Sequence, residues 1–444
     1  MGNWARDVIW WHVYPLGFTG AEREALPSTA EPVSRLGHLE AWLDYLVDLG
    51  ANGLALGPVF ASETHGYDTV DHYRIDRRLG DEGDLESLIA ACHDRGIRVL
   101  LDGVFNHVGR GHPAFADVLA HGRASRFASW FRIDWDGEGP DGFAYETFEG
   151  HGHLVALDYD EPEVADHVVE VMAHWLDRGA DGWRLDAAYA LPPRFWREVT
   201  GRVRERHPDA WFVGEVIHAP YEPWVTEGGL DAVTQYELWK AVWSALNDRN
   251  LFELDHALER HRAVTALAPP LTFLGNHDVT RIASQLSEPA HLEHAVVLLA
   301  TLPGIPSVYA GDEQGFTGVK EEHARGDDAV RPAFPDDPSG LAELGWPLYH
   351  RHQELLGLRR RHRWVVDADL EVLELANAAM ACVVVGDGER LVVLLNLDDE
   401  GVGFDEAAAA LPGEATVLAA ADGVEEGQPW VLPPHGWSVL HVTP

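Results

Sequence analysis

A short run of the chain, residues 181–187 (DGWRLDA), places an arginine two positions before an aspartate among apolar and glycine neighbours. On a β-strand, residues two apart point to the same side, so Arg184 and Asp186 would project together. A guanidinium beside a carboxylate lowers the pKa of the carboxylate and keeps it charged, and a carboxylate nucleophile needs that charged form. Taken alone, the pair fits a nucleophilic site and a buried structural ion pair equally well.

Three further polar motifs each follow an apolar run that predicts a strand. They are residues 102–107 (DGVFNH), 214–216 (GEV) and 275–278 (GNHD). One polar strand end means little, because Asp and Asn are common turn residues. Four such ends, three of which carry the candidate catalytic carboxylates Asp186, Glu215 and Asp278, predict a shared site.

Carboxylates and histidines in one site suit either metal binding or glycoside hydrolysis. The four motifs lack the His-x-His and His-Glu-x-x-His spacings of common metal sites. Glycoside hydrolysis needs one ionised and one protonated carboxylate across the scissile bond. Arg184 suits Asp186 for the ionised role, while the valines on either side of Glu215 predict a desolvated, protonated carboxylate. Asp278 would stabilise the oxocarbenium-like charge.

Strands and helices alternate along most of the chain. Apolar stripes at helical spacing precede Gly50 and Gly96, and further helices are predicted to begin at Pro162 and at the Pro192-Pro193 pair. Eight strands are predicted: residues 8–14, 54–60, 97–101, the strand that carries Arg184 and Asp186, 211–216, 231–236, 271–275 and 307–310. Continuous apolar strands alternating with helices are typical of a parallel sheet covered on both sides. Eight such units predict a (β/α)8 TIM barrel, whose active site lies at the carboxyl ends of the strands.

The alternation pauses between His107 and Asp158, where about 50 residues are rich in Gly, His, Asp and aromatic side chains. A segment this long predicts a small inserted domain. From about Trp364 onward, alternating apolar strands around an Asp-Gly turn predict a C-terminal antiparallel β-sandwich. The predicted division assigns 1–107 and 159–363 to the barrel, 108–158 to the insert and 364–444 to the sandwich.

The net charge limits which partners the chain can bind, and the cysteine content indicates the cellular compartment in which it acts. A formal net charge of −40 argues against binding nucleic acid or an anionic membrane. The two cysteines are too few for a disulfide framework, and the N-terminal residues read as neither a signal peptide nor a membrane span. A cytoplasmic location is therefore expected.

The four strand-end motifs resemble the four signature regions of the α-amylase superfamily, glycoside hydrolase family 13. Further matches lie at residues 65–68 (HGYD), 154–158 (LVALD) and 311–315 (GDEQG). The Phe-Asn-His form at the third strand, the spacing of residues 158–163 and the Trp130-Phe131 pair most resemble the branch of cyclomaltodextrinases, maltogenic amylases and neopullulanases. The resemblance implies a retaining α-glycosidase, with a domain B inserted after the third strand.

The resemblance also implies a role for each matching position. Asp186 is the expected nucleophile, Glu215 the expected general acid/base, and Asp278 the expected transition-state stabiliser. The remaining matches are expected to bind substrate or support the site: Tyr67 by stacking on sugar, His107 and His277 by hydrogen bonds to it, Arg184 by orienting the nucleophile, Arg281 as a further sugar-binding arginine, and Asp102 and Asn106 as supporting residues. His65 and His112 are expected to be ordinary loop residues.

Specificity and cofactors are less closely determined. Lys-His usually follows the nucleophile of amylases at the third and fourth positions, where this chain has Tyr189-Ala190. Asn106 matches a position that helps bind calcium in many amylases, but the loop after Phe18 lacks the Asp-rich pattern of some relatives, so no cofactor or metal is expected. Relatives of this branch usually carry an N-terminal dimerisation domain that this chain is expected to lack, which leaves a monomer and a homodimer open.

Three functional hypotheses remain open from the sequence. The first is a hydrolase of α-1,4 or α-1,6 bonds in short, cyclic or branched α-glucans. The second is a transglycosylase or isomerase, in which a sugar hydroxyl instead of water captures the same covalent intermediate. The third, a non-catalytic carbohydrate-binding relative, is disfavoured because all three candidate carboxylates are present.

Overall fold

Eight parallel strands form the centre of the computed structural model, which describes residues 3–323, 325–425 and 427–443. In chain order they are Trp10–Val13, Gly53–Leu56, Arg98–Gly103, Gly182–Leu185, Trp211–Gly214, Ala232–Val233, Leu271–Phe273 and Ile305–Tyr309. Consecutive strands pair from the first to the sixth, the seventh pairs with the eighth, and the eighth pairs with the first. A parallel bridge between Thr234 and Leu271 joins the sixth strand to the seventh and closes the barrel. The predicted (β/α)8 barrel is confirmed.

Several barrel strands are shorter than the apolar runs that predict them, and in two of these a local feature explains where the strand ends. The run at 54–60 is interrupted at Gly57-Pro58, and its end becomes a separate strand, Phe60–Ser62, which pairs antiparallel with Thr69–Ile75. The run at 231–236 ends early because the Gln235 side chain accepts a hydrogen bond from the Leu238 N–H and caps the next helix. Proline and a capping side chain therefore override the apolar pattern.

The helices lie outside the barrel and bury their apolar stripes against it. The stripe before Gly96, from Leu85 to Cys92, is fully buried as predicted, whereas Val47 on the stripe before Gly50 is 39% exposed. The α-helices are Pro15–Phe18, Leu36–Glu40, Leu43–Leu49, Glu82–Asp94, Pro113–His121, Pro162–Leu176, Pro193–Arg206, Glu222–Thr226, Tyr236–Asp248, Leu251–Thr265, Ile282–Gln285, Leu292–Thr301, Trp346–Arg361 and Asp405–Ala410. Within the described ranges, the structure has no helix of the length and apolar character needed to span a membrane.

The segment after the third strand forms a small unit with its own core. Its strand pairs are His107–Gly109 with Leu154–Ala156 and Ile133–Asp134 with Ala144–Tyr145. Phe115 lies at the centre of a separate buried cluster beneath these strands. The unit is therefore an insertion at the carboxyl end of the barrel, where it stands beside the strand-end motifs.

The C-terminal part is an antiparallel sheet packed on the barrel. Its five strands, in spatial order, are Asp369–Leu375, Ala379–Gly386, Glu389–Asn396, Trp437–Thr443 and Glu414–Ala420. A two-stranded sheet, Val402–Gly403 with Val431–Leu432, lies over a separate apolar cluster of the outer face. Asp387 and Gly388 turn the central hairpin with φ of 48° and 78°, the conformation that an Asp-Gly turn favours. The predicted C-terminal sandwich and its hairpin are confirmed.

Candidate active site

The barrel register brings the strand-end motifs together. Arg184 on the fourth strand lies directly opposite Asp102 on the third. Beyond the strand ends, the Asp186 N–H donates to the Gly103 carbonyl at 3.1 Å, and the Glu215 N–H donates to the Leu185 carbonyl at 2.9 Å. Because the ladder continues past the last strand residues, Asp186 and Glu215 are held side by side on rigid backbone.

Arg184 contacts three carboxylates at once. Its Nη1 lies 2.7 and 2.8 Å from the two carboxylate oxygens of Asp102 and 3.3 Å from Asp186 Oδ1. Its Nη2 lies 2.7 Å from Glu215 Oε1. All four side chains are at most 10% exposed. The arginine therefore organises the whole cluster, and its contact with Asp186 is the longest of these.

The electrostatic environment of Asp186 differs from the sequence expectation. Burial, together with the neighbouring Glu215 carboxylate, raises the pKa of Asp186 well above its usual range, although Arg184 acts in the opposite direction. Burial also raises the pKa of Asp102. The prediction that Arg184 lowers the pKa of Asp186 is wrong as a net effect, because burial and the Glu215 carboxylate outweigh the ion pair. Burial and the neighbouring carboxylate therefore favour the neutral form of Asp186.

The surroundings of Glu215 also differ from the prediction. Its carboxylate accepts hydrogen bonds from the Tyr236 hydroxyl at 3.2 Å and from the Ala187 N–H at 3.0 Å, besides its pairing with Arg184. The predicted apolar setting is wrong, since polar groups surround both oxygens. Ala187 reaches this position with φ of 45° and ψ of 39°, a left-handed conformation uncommon for alanine. Such strain at a functional site persists only when the surroundings enforce it.

Asp278 lies at the more open side of the cluster, with 32% of its side chain exposed. His277 Nε2 lies 2.9 Å from one of its oxygens, and Arg331 Nη2 lies 2.7 Å from the other. Burial alone would raise the pKa of Asp278, but His277 and Arg331 hold it well below its usual range. Asp278 is therefore an ionised carboxylate that faces the cleft.

Two tyrosines enclose the ring of His277. Tyr67 stacks on it with ring centroids 5.3 Å apart, and Tyr14 stacks at 5.8 Å. The Tyr67 hydroxyl donates to Asp102 at 3.2 Å and also contacts His277 Nε2. His277 is only 1% exposed, whereas Tyr67 is half-buried. The structure thus places Tyr67 at the cleft and His277 beneath it.

His107 has a supporting position. Its Nε2 donates to the Tyr67 carbonyl at 3.0 Å, and its Nδ1 receives the Asn106 amide at 3.2 Å. Burial lowers its pKa to about 3, so the ring is neutral. Because both ring nitrogens have protein partners and the ring is 1% exposed, His107 holds the loop of Tyr67 and is not available to sugar in this structure.

Arg281 does not lie with the cleft residues. It is 1% exposed, pairs with Asp312 Oδ1 at 2.7 Å, and places its guanidinium 4.4 Å from the ring centre of Tyr309. The predicted contact with sugar requires an accessible guanidinium, and burial prevents it. Besides Arg184, the arginine that reaches the site is Arg331, which was not predicted because no spacing rule links it to Asp278, 53 residues earlier.

The insert contacts the loop that follows Asp186. The Tyr189 hydroxyl donates to Glu149 Oε1 at 2.8 Å, and the neighbouring Phe148 stacks on His107 with centroids 4.7 Å apart. This contact joins the position where amylases usually carry lysine to the tip of the insert. The contact holds the insert against the loop that follows Asp186, and it was not predicted from the sequence.

The amino-acid sequence of the chain matches the sequence model of one protein family. Residues 13–343, well over half of the chain, match the family model described as "Alpha amylase, catalytic domain". The chain belongs to the α-amylase family. The predicted family is thereby confirmed, and the chain is a glycosidase by family.

Named relatives come from the predicted branch of the α-amylase family. A cyclomaltodextrinase of Geobacillus thermopakistaniensis (strain MAS1) is 31% identical over 423 residues, which cover 90% of this chain and 70% of that protein. Neopullulanase 2 of Thermoactinomyces vulgaris is 29% identical over 434 residues, covering 90% and 72%. The ligand-free structure of a cyclic α-maltosyl-(1→6)-maltose hydrolase from Arthrobacter globiformis matches with a TM-score of 0.83 and 29% identity, over 99% of both chains.

Proposed function

We propose that this α-amylase family member is a retaining hydrolase of α-1,4 and also α-1,6 glucosidic bonds in short, cyclic or branched maltooligosaccharides. The observation that carries the proposal is the placement of Asp186 and Glu215 on adjacent strand ends with Arg184 between them. Two buried carboxylates held side by side supply the nucleophile and the general acid of a double displacement.

The roles follow from what each group can do. Asp186 attacks the anomeric carbon while Glu215 protonates the departing glycosidic oxygen, and the covalent glycosyl-enzyme is then hydrolysed by water that Glu215 deprotonates. Positive charge developing on the sugar ring favours the ionised form of Asp186 as the glycosidic bond breaks. Asp278, already ionised in the free site, stabilises that charge.

The remaining residues support binding. Tyr67 presents a half-buried ring for a sugar to stack against, while His277 and His107 hold it from below. Asp102 and Asn106 support Arg184 and His107 respectively. Arg184 orients the cluster. We assign Arg281 no contact with substrate.

We base the proposed preference for small substrates on the contact between Tyr189 and Glu149, which we expect to narrow the cleft beside the nucleophile. Two relatives support the same preference, since one is a cyclomaltodextrinase and another is a cyclic α-maltosyl-(1→6)-maltose hydrolase. We propose further that the chain acts in the cytoplasm, as a monomer or homodimer, without a catalytic cofactor. Its proposed functional units are the barrel (1–107 with 159–363), the insert (108–158) and the C-terminal sandwich (364–444).

A product profile tests the proposal. Wild type is compared with Asp186→Asn on γ-cyclodextrin, maltotriose, panose, pullulan and soluble starch. The control is Asp136→Asn, which alters a carboxylate of the insert that is 94% exposed. We expect rapid cleavage of the cyclic and short substrates, little action on starch, and no turnover by Asp186→Asn.

Three outcomes would contradict parts of the proposal. Undiminished activity of Asp186→Asn would refute the nucleophile. Rapid endo-cleavage of starch would refute the narrowed cleft. Transfer products in excess of free sugar at high substrate concentration would show that the same site is a transglycosylase.

A further inference from the structure

Three histidines from distant parts of the chain meet where the insert joins the barrel. His72 lies on the strand Thr69–Ile75, His112 precedes the helix Pro113–His121, and His167 lies on the helix Pro162–Leu176. One ring nitrogen from each lies within 4.8 Å of the other two. Their ring centroids are 5.4, 6.0 and 6.2 Å apart. The three rings therefore converge on one small volume, apart from the carboxylate cluster.

The hydrogen bonds leave nitrogen lone pairs free at this point. His72 is 1% exposed and donates its Nε2 proton to the Val104 carbonyl at 2.9 Å, which leaves an unprotonated Nδ1. Among the described residues, neither this Nδ1 nor the buried His167 Nε2 has a hydrogen-bond partner. A histidine whose second nitrogen donates to a backbone carbonyl has the orientation and tautomer typical of a metal ligand.

The rings are also neutral, as metal binding requires. Burial, reinforced by repulsion between the rings, lowers the pKa of His112 and of His167 to about 3, and it lowers the pKa of His72 as well. The His112 Nδ1 receives only a long 3.3 Å hydrogen bond from the Ala114 N–H. Ligation through Nε2 moves the ring proton to Nδ1 and gives up that contact.

We propose that His72, His112 and His167 bind one divalent transition-metal ion, with zinc as the preferred ion and solvent in the fourth position. Three imidazoles favour Zn²⁺, Cu²⁺, Ni²⁺ or Co²⁺ over Ca²⁺, which takes oxygen ligands. A tetrahedral zinc with Zn–N of about 2.1 Å holds its nitrogens about 3.4 Å apart. The three ring nitrogens lie within 4.8 Å of one another, so they would approach by up to about 1.4 Å on binding. The net charge of −40 favours uptake of a cation.

The proposed ion would join the insert to the barrel. His112 lies in the insert, His72 in the hairpin before it, and His167 in the barrel helix after it. Cross-links between segments this far apart in sequence restrict the unfolded chain most. We therefore expect the ion to stabilise the junction without touching Asp186 or Glu215.

Zinc titration of the purified full-length chain tests the site. The protein is stripped with a chelator, and Zn²⁺ is titrated against a chromophoric competitor, with Ca²⁺ as a comparison ion. The variant is His167→Gln. The matched control is His174→Gln, which lies seven residues further along the same helix and outside the cluster.

We expect wild type and His174→Gln to bind one Zn²⁺ per chain and to melt at a higher temperature with zinc than without it. His167→Gln should bind zinc at least about 100-fold more weakly and show no upward shift. Equal binding by wild type and His167→Gln would overturn the proposal, because the ion would then sit elsewhere, for example at the active-site carboxylates. Absence of zinc binding by wild type would overturn it as well.

A second measurement keeps the proposal testable if His167→Gln does not fold. X-ray absorption at the zinc edge of wild type should show three imidazole nitrogens at about 2.0–2.1 Å. A shell of oxygen atoms alone would refute the site.

Discussion

Arg331 offers the most direct test of the electrostatics at the active site. Replacing it with methionine keeps the length of the side chain but removes two hydrogen bonds, from Nη2 to Asp278 at 2.7 Å and from Nε to the His277 carbonyl at 2.8 Å. Hydrogen bonds that involve a charged group contribute about 1.5–3 kcal/mol each. Loss of about 3–4 kcal/mol of transition-state stabilisation corresponds to a decrease in kcat/KM of about 10²–10³-fold.

The pH dependence of Arg331→Met gives an independent readout. Against the effect of burial, His277 and Arg331 keep the pKa of Asp278 well below its usual range, so Asp278 stays ionised into the acid region. Removing the Arg331 guanidinium raises that pKa, and the acid limb of kcat/KM moves to higher pH. The lowered pKa of Asp278 also stabilises the fold above the pKa of an unfolded aspartate, and this stabilisation is lost as pH falls. The stability deficit of the variant should therefore be largest near neutral pH.

The assay is kcat/KM on maltotriose from acid to neutral pH, with far-UV circular dichroism and urea unfolding to establish that the variant folds. Arg331→Lys is the matched control. It keeps the charge, so the acid limb should shift less, but lysine cannot make both contacts of the planar guanidinium and the rate should still fall. A rate for Arg331→Met within about threefold of wild type, with an unchanged acid limb, would refute the reasoning.

Three further predictions follow from individual contacts. Glu215→Gln should lower kcat/KM for maltotriose by about 10²–10⁴-fold, but less for an aryl maltoside whose leaving group needs no proton; equal losses would contradict the acid role. Tyr189→Phe removes the contact with Glu149 and should raise the starch-to-maltotriose rate ratio, with an unchanged ratio counting against the narrowed cleft. Gly388→Ala forces alanine to a φ of 78° and should cost about 1–2 kcal/mol in urea unfolding, whereas Gly152→Ala, in open space, should cost less.

Local pattern was sufficient to predict the barrel. The helical stripe from Leu85 to Cys92 and the continuous apolar strands are buried together when helices pack around a parallel barrel. All eight strands lie within or next to the apolar runs that predicted them. The errors fall at strand ends. Gly57-Pro58 and the capping side chain of Gln235 shorten two strands, because a missing donor or a side-chain hydrogen bond acts locally against the apolar period.

The strand-end motifs were predictable as a group for a different reason. Parallel barrel strands present all their carboxyl ends at one rim, so polar residues at those ends meet whatever their separation in sequence. Arg184, Asp186 and Glu215 meet in this way. Arg331 and Glu149 come from loops whose paths no periodicity describes, and Arg281 turns inward to Asp312 for the same reason.

The amino-acid sequence by itself determined the barrel, the insertion after its third strand, the C-terminal sheet and the family, because these depend on periodic burial and on short motifs. Only the tertiary structure decided the electrostatics and the long-range partners. The pKa of Asp186 is raised because the effects of burial and of Glu215 outweigh the effect of Arg184. These effects depend on distances in the folded chain, which the residues next to Asp186 in the sequence do not determine. The convergence of His72, His112 and His167 arises in the same way, since it depends on how the insert packs against the barrel.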